Sequence, residues 1–175
     1  MQTNIKHSVY KEYFEKDTEK IDLLSIEDAS KFWISNIDDR EDNFYKLLDK
    51  NPIIKNSIHI GHWLEYYDNH NQSGLINFLH SKTSWSLDSI VFFCINKKTV
   101  IKTDYETFLK NVFSFLEVYD DCPLLVYQNI NCNEFIYFAP LGNIYYSPLP
   151  HESFRVAVKK TKIKSIFTRN RSSLK

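Results

Sequence analysis

The sequence predicts an α+β fold in which a helical N-terminal half packs on a mainly antiparallel sheet of about five strands. Residues 8–82 repeat their apolar side chains with a helical period, whereas residues 88–148 contain short runs of β-branched and aromatic residues. At 175 residues with 43% hydrophobic content, the chain is long enough to bury one sizeable core. We therefore expect one α+β domain over residues 1–150 and a basic C-terminal tail over residues 151–175.

The helical half contains several short amphipathic segments. In "SIEDASKFWISNI", Ser25 is a candidate N-cap, Asp28 is the third helical residue, and the apolar residues fall on one stripe. "DNFYKLLDK" continues the helical pattern until Pro52 interrupts it. "GHWLEYYDNH" and "SGLINFLHSK" predict two further helices around a polar break at residues 69–73.

The C-terminal half predicts the order ββ-α-βββ. "SIVFFCIN" and "TVIKTDY" suggest a hairpin with a turn at Lys97 and Lys98. "DYETFLKNVFSFLEVY" has the spacing of one amphipathic helix with Asp104 as its N-cap. "CPLLVYQN", "NEFIYFAP" and "GNIYYSP" then predict three strands, with "PLGN" as a turn.

The composition excludes several classes of protein. Three glycines are too few for the glycine-rich loops that cradle nucleotide phosphates. The N-terminus "MQTNIKHSVYKEYFEKDTEK" is too polar for a signal peptide, and no run of 18 apolar residues is present, so we expect a cytoplasmic protein without a membrane partner. The three cysteines lack CxxC spacing, which argues against a disulfide framework or a zinc ribbon.

No motif names a reaction. "HIGH" at residues 59–62 has the letters of the nucleotide signature of class I aminoacyl-tRNA synthetases, but neither βαβ alternation nor the Lys-rich companion is present. His59, His62 and Glu65 could share a helix face, yet Gly61 interrupts the helical pattern. Cys122 has no histidine at a spacing that predicts proximity. We therefore expect no catalytic residue, no metal and no cofactor.

The net charge of zero hides an asymmetry. Residues 156–175 contain seven Lys or Arg and no acid, so the other 155 residues carry 15 basic against 22 acidic groups, a net charge of −7. Three acids crowd the end of the predicted helix, where they oppose the helix dipole, and a second acidic run lies in "IDDREDNF". With neighbouring tyrosines, these residues form the predicted partner-binding set: Glu117, Tyr119, Asp120, Asp121, Asp38, Asp39, Glu41, Asp42, Tyr66 and Asp68.

One stretch resembles a known group of proteins. It runs from Trp63 to Ser147 and includes "FL" at 78–79, "VFF" at 91–93, "DDCPLL", "FIYFAP" and a late Gly142. This pattern resembles small proteobacterial α+β families that include immunity proteins of contact-dependent inhibition and polymorphic toxin systems. The resemblance implies a cytosolic protein that binds one cognate toxin domain and blocks it.

The acidic body is compatible with that function, since an acidic surface attracts a basic groove such as that of a nuclease toxin. Two alternatives remain open at this point. The chain could be a small enzyme, which would show a deep pocket with convergent acids or histidines. It could also be a nucleic-acid or membrane-associated protein that uses its basic tail, although nucleic acid is the less favoured partner.

Overall fold

Eight β-strands of the described chain form one antiparallel sheet. The computed structural model describes residues 2–15, 17–47, 49–118, 122–130 and 132–150. The strands are β1 (Thr3–Asn4), β2 (Asp22–Leu23), β3 (Ile58–His62), β4 (Ile90–Asn96), β5 (Thr99–Asp104), β6 (Leu124–Gln128), β7 (Cys132–Phe138) and β8 (Asn143–Pro150). Their order across the sheet is β1-β2-β5-β4-β6-β7-β8-β3.

Six short α-helices lie within the same described ranges. They are α1 (Ile26–Asn36), α2 (Pro52–Lys55), α3 (Leu64–Asp68), α4 (Gln72–Lys82), α5 (Tyr105–Lys110) and α6 (Val112–Val118). None of these helices combines the length and the apolar character that crossing a bilayer requires.

Helices cover both faces of the sheet because its inner strands are apolar on both faces. On β7, Ile136 and Phe138 join the core under α3 to α6, whereas Phe135 and Tyr137 join the core under α1 and α2. We call these the α3–α6 face and the α1–α2 face. A strand buried on both faces reads as a continuous apolar run, which matches "FIYF" at residues 135–138.

The predicted fold class is wrong. The chain is a mixed α/β structure with one large antiparallel sheet, not a helical half packed on five strands. The five strands predicted in residues 88–148 correspond to β4 to β8, but the N-terminal half adds three more strands to the same sheet. The described residues of "DNFYKLLDK" contain a 3-10 turn at Phe44–Lys46 in place of the predicted helix, and Phe44 packs on Tyr137 of β7 with ring centroids 4.9 Å apart. The predicted basic tail, residues 151–175, lies outside the described residues.

Two helix predictions have different outcomes. Helix α1 begins after Ser25 as predicted: the Ser25 hydroxyl accepts the backbone N–H of Asp28 at 3.2 Å and donates to the Asp28 carboxylate at 2.7 Å. The single helix predicted after Asp104 is instead two helices, α5 and α6, that separate at Asn111. The side-chain amide of Asn111 donates to the backbone carbonyl of Thr107 at 3.0 Å. Such side-chain bonds to the backbone compete with the regular hydrogen bonds of a helix.

The "HIGH" segment is strand β3 and not part of a helix. His59 pairs with Tyr145 of β8 and His62 pairs with Asn143, with a β-bulge between them, and α3 begins only at Leu64. The shared helix face considered for His59, His62 and Glu65 therefore does not exist. Among the described residues, no three metal-ligating side chains cluster.

Gly142 is expected to tolerate no side chain. Its φ is +91°, a conformation that costs other residues free energy, and an added Cβ would overlap the imidazole of His62. We expect Gly142→Ala to lower the free energy of unfolding by more than about 1 kcal/mol. Urea unfolding measures the change. His62→Ala in the same chain should recover the part of the loss due to overlap, and an unchanged stability for Gly142→Ala would contradict the prediction.

Alkaline pH should destabilise the fold through Tyr105. This side chain is fully buried, its hydroxyl lies 3.0 Å from Oγ1 of Thr83, and burial raises the pKa of Tyr105 to about 12. The unfolded chain loses that proton near pH 10, so the stabilisation is complete below about pH 10 and is lost as the pH rises through about 12. Unfolding free energies measured across this window should fall less steeply for Tyr105→Phe. The exposed Tyr45→Phe is the control, and equal slopes in the two variants would refute the assignment.

Candidate partner-binding site

A polar cleft opens where the N-terminal segment crosses the helices of the α3–α6 face. Its volume is about 270 Å³. Its walls come from the turn at residues 11–15, the start of α4 and the junction of α5 with α6. The lining residues are Glu12, Tyr13, Glu15, Gln72, Lys110, Asn111, Ser114 and Glu117.

Aromatic packing fixes the N-terminal wall of this cleft. Phe14 is buried and its ring meets Phe115 of α6 edge-on, with centroids 4.8 Å apart. Because Glu12 and Glu15 flank this anchor, they are held beside α6 although they are distant from it in sequence. The opposite wall is tied by Gln72, whose side-chain amide donates to the carbonyl of Lys110 at 2.6 Å.

A tyrosine of helix α3 orients the side chain of Glu117. The hydroxyl of Tyr67 donates to the Glu117 carboxylate at 2.9 Å, and this bond, ahead of burial, raises the pKa of Tyr67. Tyr67 is itself fixed by edge-on packing against Phe113 and Trp63, at 5.0 and 6.0 Å between centroids. The carboxylate is thus held in place while remaining exposed to solvent.

The charges around the cleft are unbalanced. Its lysine, Lys110, already contacts Glu106 at 3.0 Å and Asp17 at 3.9 Å, and the hydrogen bond to Glu106 is the main cause of its raised pKa. Within the described part of the chain, no ion pair neutralises Glu12, Glu15 or Glu117. All three are exposed, so the cleft can accept hydrogen bonds from a cationic group without first burying a charge.

Of the predicted partner-binding residues near α3 and α6, the structure places one in the cleft. Glu117 lies in the cleft, and Asp68 is exposed on α3, the helix that supplies Tyr67. Tyr66 is half-buried and packs on Phe78, with ring centroids 5.8 Å apart, so it supports the helical layer. The remaining members of this group, Tyr119, Asp120 and Asp121, lie outside the described residues.

The second acidic run lies on the other side of the sheet and is engaged locally. Asp38 accepts the backbone N–H groups of Arg40 and Glu41 at 2.8 and 3.0 Å. Asp42 pairs with Lys97 at 3.1 Å, and Asp39 lies 3.7 Å from Arg40. The carbonyl of Glu41 accepts the indole N–H of Trp33, which is buried on the α1–α2 face. These contacts fix the loop after α1. The loop lies on the α1–α2 face, whereas the cleft lies on the α3–α6 face.

Sequence reasoning missed the other cleft residues. Glu12 and Glu15 stand in "YKEYFEK", where charges alternate as on many solvated segments, and nothing local links them to Glu117. The available signal was Phe14, an apolar residue between two acids, which indicated that one side of this segment is buried.

A buried carboxylate forms a separate polar centre on β7. Glu134 is 6% exposed and accepts the indole N–H of Trp85 at 2.7 Å, together with the hydroxyl of Tyr146. Cys132 lies beside it, but burial raises the pKa of the Cys132 thiol, which disfavours the nucleophilic thiolate. This centre therefore anchors the loop before β4 to the sheet through neutral donors.

The Trp85 bond should contribute measurably to stability. Trp85→Phe removes a donor from a buried carboxylate, so we expect the free energy of unfolding to fall by about 1 to 3 kcal/mol. Glu134→Gln should also be costly. Denaturant unfolding of both single variants and the double variant should give non-additive losses, since the residues share one bond. Strictly additive losses would show that the bond contributes nothing.

Comparison with known proteins gives a family but no function. No curated protein and no solved structure matches the chain significantly. One family model matches residues 9–144, and its description is "Protein of unknown function (DUF2947)". The matched span contains all of the cleft residues and most of the sheet. Since it covers well over half of the sequence, the chain belongs to the DUF2947 family.

Proposed function

We propose that this protein is a cytoplasmic inhibitor of the immunity type, which binds and neutralises a cognate bacterial toxin domain. The observation that carries the proposal is the cleft ringed by Glu12, Glu15 and Glu117, three exposed carboxylates without a salt-bridge partner in the described chain. The resemblance over residues 63–147 to immunity proteins of toxin systems supports it. The proposed role is binding and not catalysis.

The charge distribution favours a cationic partner. Outside residues 156–175, the chain has 15 basic and 22 acidic groups, so its body carries a net charge of −7. Opposite charge on the partner raises the rate of encounter above the unsteered range of about 10⁵ to 10⁶ M⁻¹s⁻¹. A toxin with a basic substrate groove, such as a nuclease, would supply that charge.

The side chains of the cleft suit recognition of lysine or arginine from the partner. A carboxylate accepts charge-assisted hydrogen bonds, and a planar guanidinium can engage one in bidentate geometry. Tyr67 holds Glu117 in one orientation before binding, which lowers the conformational entropy lost on association. The partner then covers the cleft with a basic patch and loses access to its own substrate.

Binding of the cognate toxin domain should depend on the three glutamates. We expect the triple variant Glu12→Gln, Glu15→Gln, Glu117→Gln to associate about tenfold more slowly at low salt, because rim charges act chiefly on the association rate. The difference should shrink at high salt, where exposed charges are screened. Surface plasmon resonance with a catalytically inactive toxin domain measures both rates.

The matched control removes as much charge from the opposite face. Glu27→Gln, Asp39→Asn, Asp42→Asn should retain the native association rate, since these acids lie by the loop and helix of the α1–α2 face. If both triple variants bind equally well, the cleft is not the contact surface. If the native chain neither binds the toxin domain nor protects a host that expresses it, the proposed function itself is wrong.

A further inference from the structure

The most buried side chain of the cleft carries an acceptor that the fold leaves unused. Asn111 lies between α5 and α6, lines the cleft and is only 5% exposed. Its side-chain N–H donates to the carbonyl of Thr107 at 3.0 Å, and this bond fixes which end of the amide is the oxygen. Among the described residues, no hydrogen bond reaches Oδ1 of Asn111, and that oxygen is not enclosed. It is therefore available to a ligand in the cleft.

The other polar groups of the cleft are mostly acceptors as well. Gln72 is held in the same way as Asn111: its amide N–H donates to the carbonyl of Lys110 at 2.6 Å, which leaves the amide oxygen as the free end. The three glutamates of the cleft add exposed carboxylates. The ammonium group of Lys110 is already engaged by acids outside the lining. A ligand that fits this cleft must bring positive charge and several hydrogen-bond donors.

We propose that the cleft binds a guanidinium group, which the partner presents as an arginine side chain. The partner's identity follows the proposed function, whereas the guanidinium is assigned from the cleft alone. A guanidinium carries five N–H donors in a fixed planar fork, whereas an ammonium group is a compact point charge with three. The acceptors come from the turn at residues 11–15, the start of α4 and the junction of α5 with α6. Donors that point in several fixed directions therefore satisfy more of this cleft than a point charge does.

The arrangement of the lining favours a planar, extended cation. Among the described residues, no three acidic, cysteine or histidine side chains lie close enough to hold one metal ion, so the carboxylates of the cleft are spread around it. A planar group that spans the cleft can reach acceptors on more than one wall. Tyr13 lines the same cleft and supplies an aromatic ring, and guanidinium groups stack on such rings.

Small arginine and lysine compounds test the cleft without any toxin. In NMR titrations of the full-length chain, N-acetyl-arginine methylamide should shift the side-chain amide resonances of Asn111 and Gln72. N-acetyl-lysine methylamide should bind about tenfold more weakly, because it makes fewer charge-assisted hydrogen bonds. Equal affinities for the two compounds, or shifts confined to residues outside the cleft, would overturn the proposal.

Competition identifies the source of the guanidinium. The cognate toxin domain should displace N-acetyl-arginine methylamide and reverse its shifts. A toxin domain that binds while the compound stays in the cleft would overturn the assignment to the partner's side chain and leave the proposed function intact. A toxin domain that does not bind at all would remove the proposed function and the partner with it, whereas the guanidinium site would still be decided by the titration.

Two variants show whether the amide oxygens select the guanidinium. Asn111→Ala should weaken binding of the arginine compound about tenfold and bring it near that of the lysine compound. Asn56→Ala is the matched control, because Asn56 at the end of α2 also donates its side-chain N–H to the carbonyl four residues earlier, that of Pro52 at 2.7 Å, but lies outside the cleft. It should leave both affinities unchanged.

Gln72→Met keeps the test decisive if Asn111→Ala does not fold. It removes an acceptor from a half-buried position and should weaken the arginine compound more than the lysine compound. A native preference for arginine in folded Gln72→Met, and in Asn111→Ala where that variant folds, would refute the proposal.

Discussion

The burial of β7 from Asn133 to Phe138 constrains the whole structure. A strand buried along its length must pair its backbone on both sides, which β6 and β8 provide, and must cover both of its faces. One helical layer cannot do this. The α3–α6 face therefore takes the larger set of helices, and α1 with α2 closes the other face over Phe135 and Tyr137.

The polar residues of β7 show how the two layers are fixed to it. Asn133 and Glu134 are adjacent and point to opposite faces. Asn133 donates to the side-chain oxygen of Asn36 at the end of α1, at 3.0 Å, whereas Glu134 accepts from Trp85 in the loop before β4. Each of these polar side chains thus ties one covering segment to β7, Asn133 the end of α1 and Glu134 the loop before β4. The hydrogen bonds of the Asn133 side-chain N–H and of the Glu134 carboxylate reduce the cost of burying these groups.

The sequence predicts the elements that carry strong local periodicity and misses those that tertiary contacts decide. Strands β4 to β8 follow from runs of β-favouring residues, and α1 follows from the Ser25 cap. Strand β3 could not be predicted, since histidine and glycine give "IHIGH" little β character and its pairing with β8 is distant in sequence. For the cleft, only Glu117 was predicted. Its proximity to Glu12 and Glu15 results from Phe14 packing on Phe115.

Residues 58–68 connect the last strand of the sheet to the cleft. The segment begins as the edge strand β3 and ends as α3, whose Tyr67 orients Glu117 in the cleft. Between them Trp63 is buried and bonded to Gly142, so the strand and the helix keep a fixed relation. Glu117 is therefore oriented by a segment that is itself fixed to the sheet. Because the orientation of Glu117 is set before any partner arrives, less conformational entropy is lost when the cleft is filled, which makes the fold of residues 58–68 part of the binding surface.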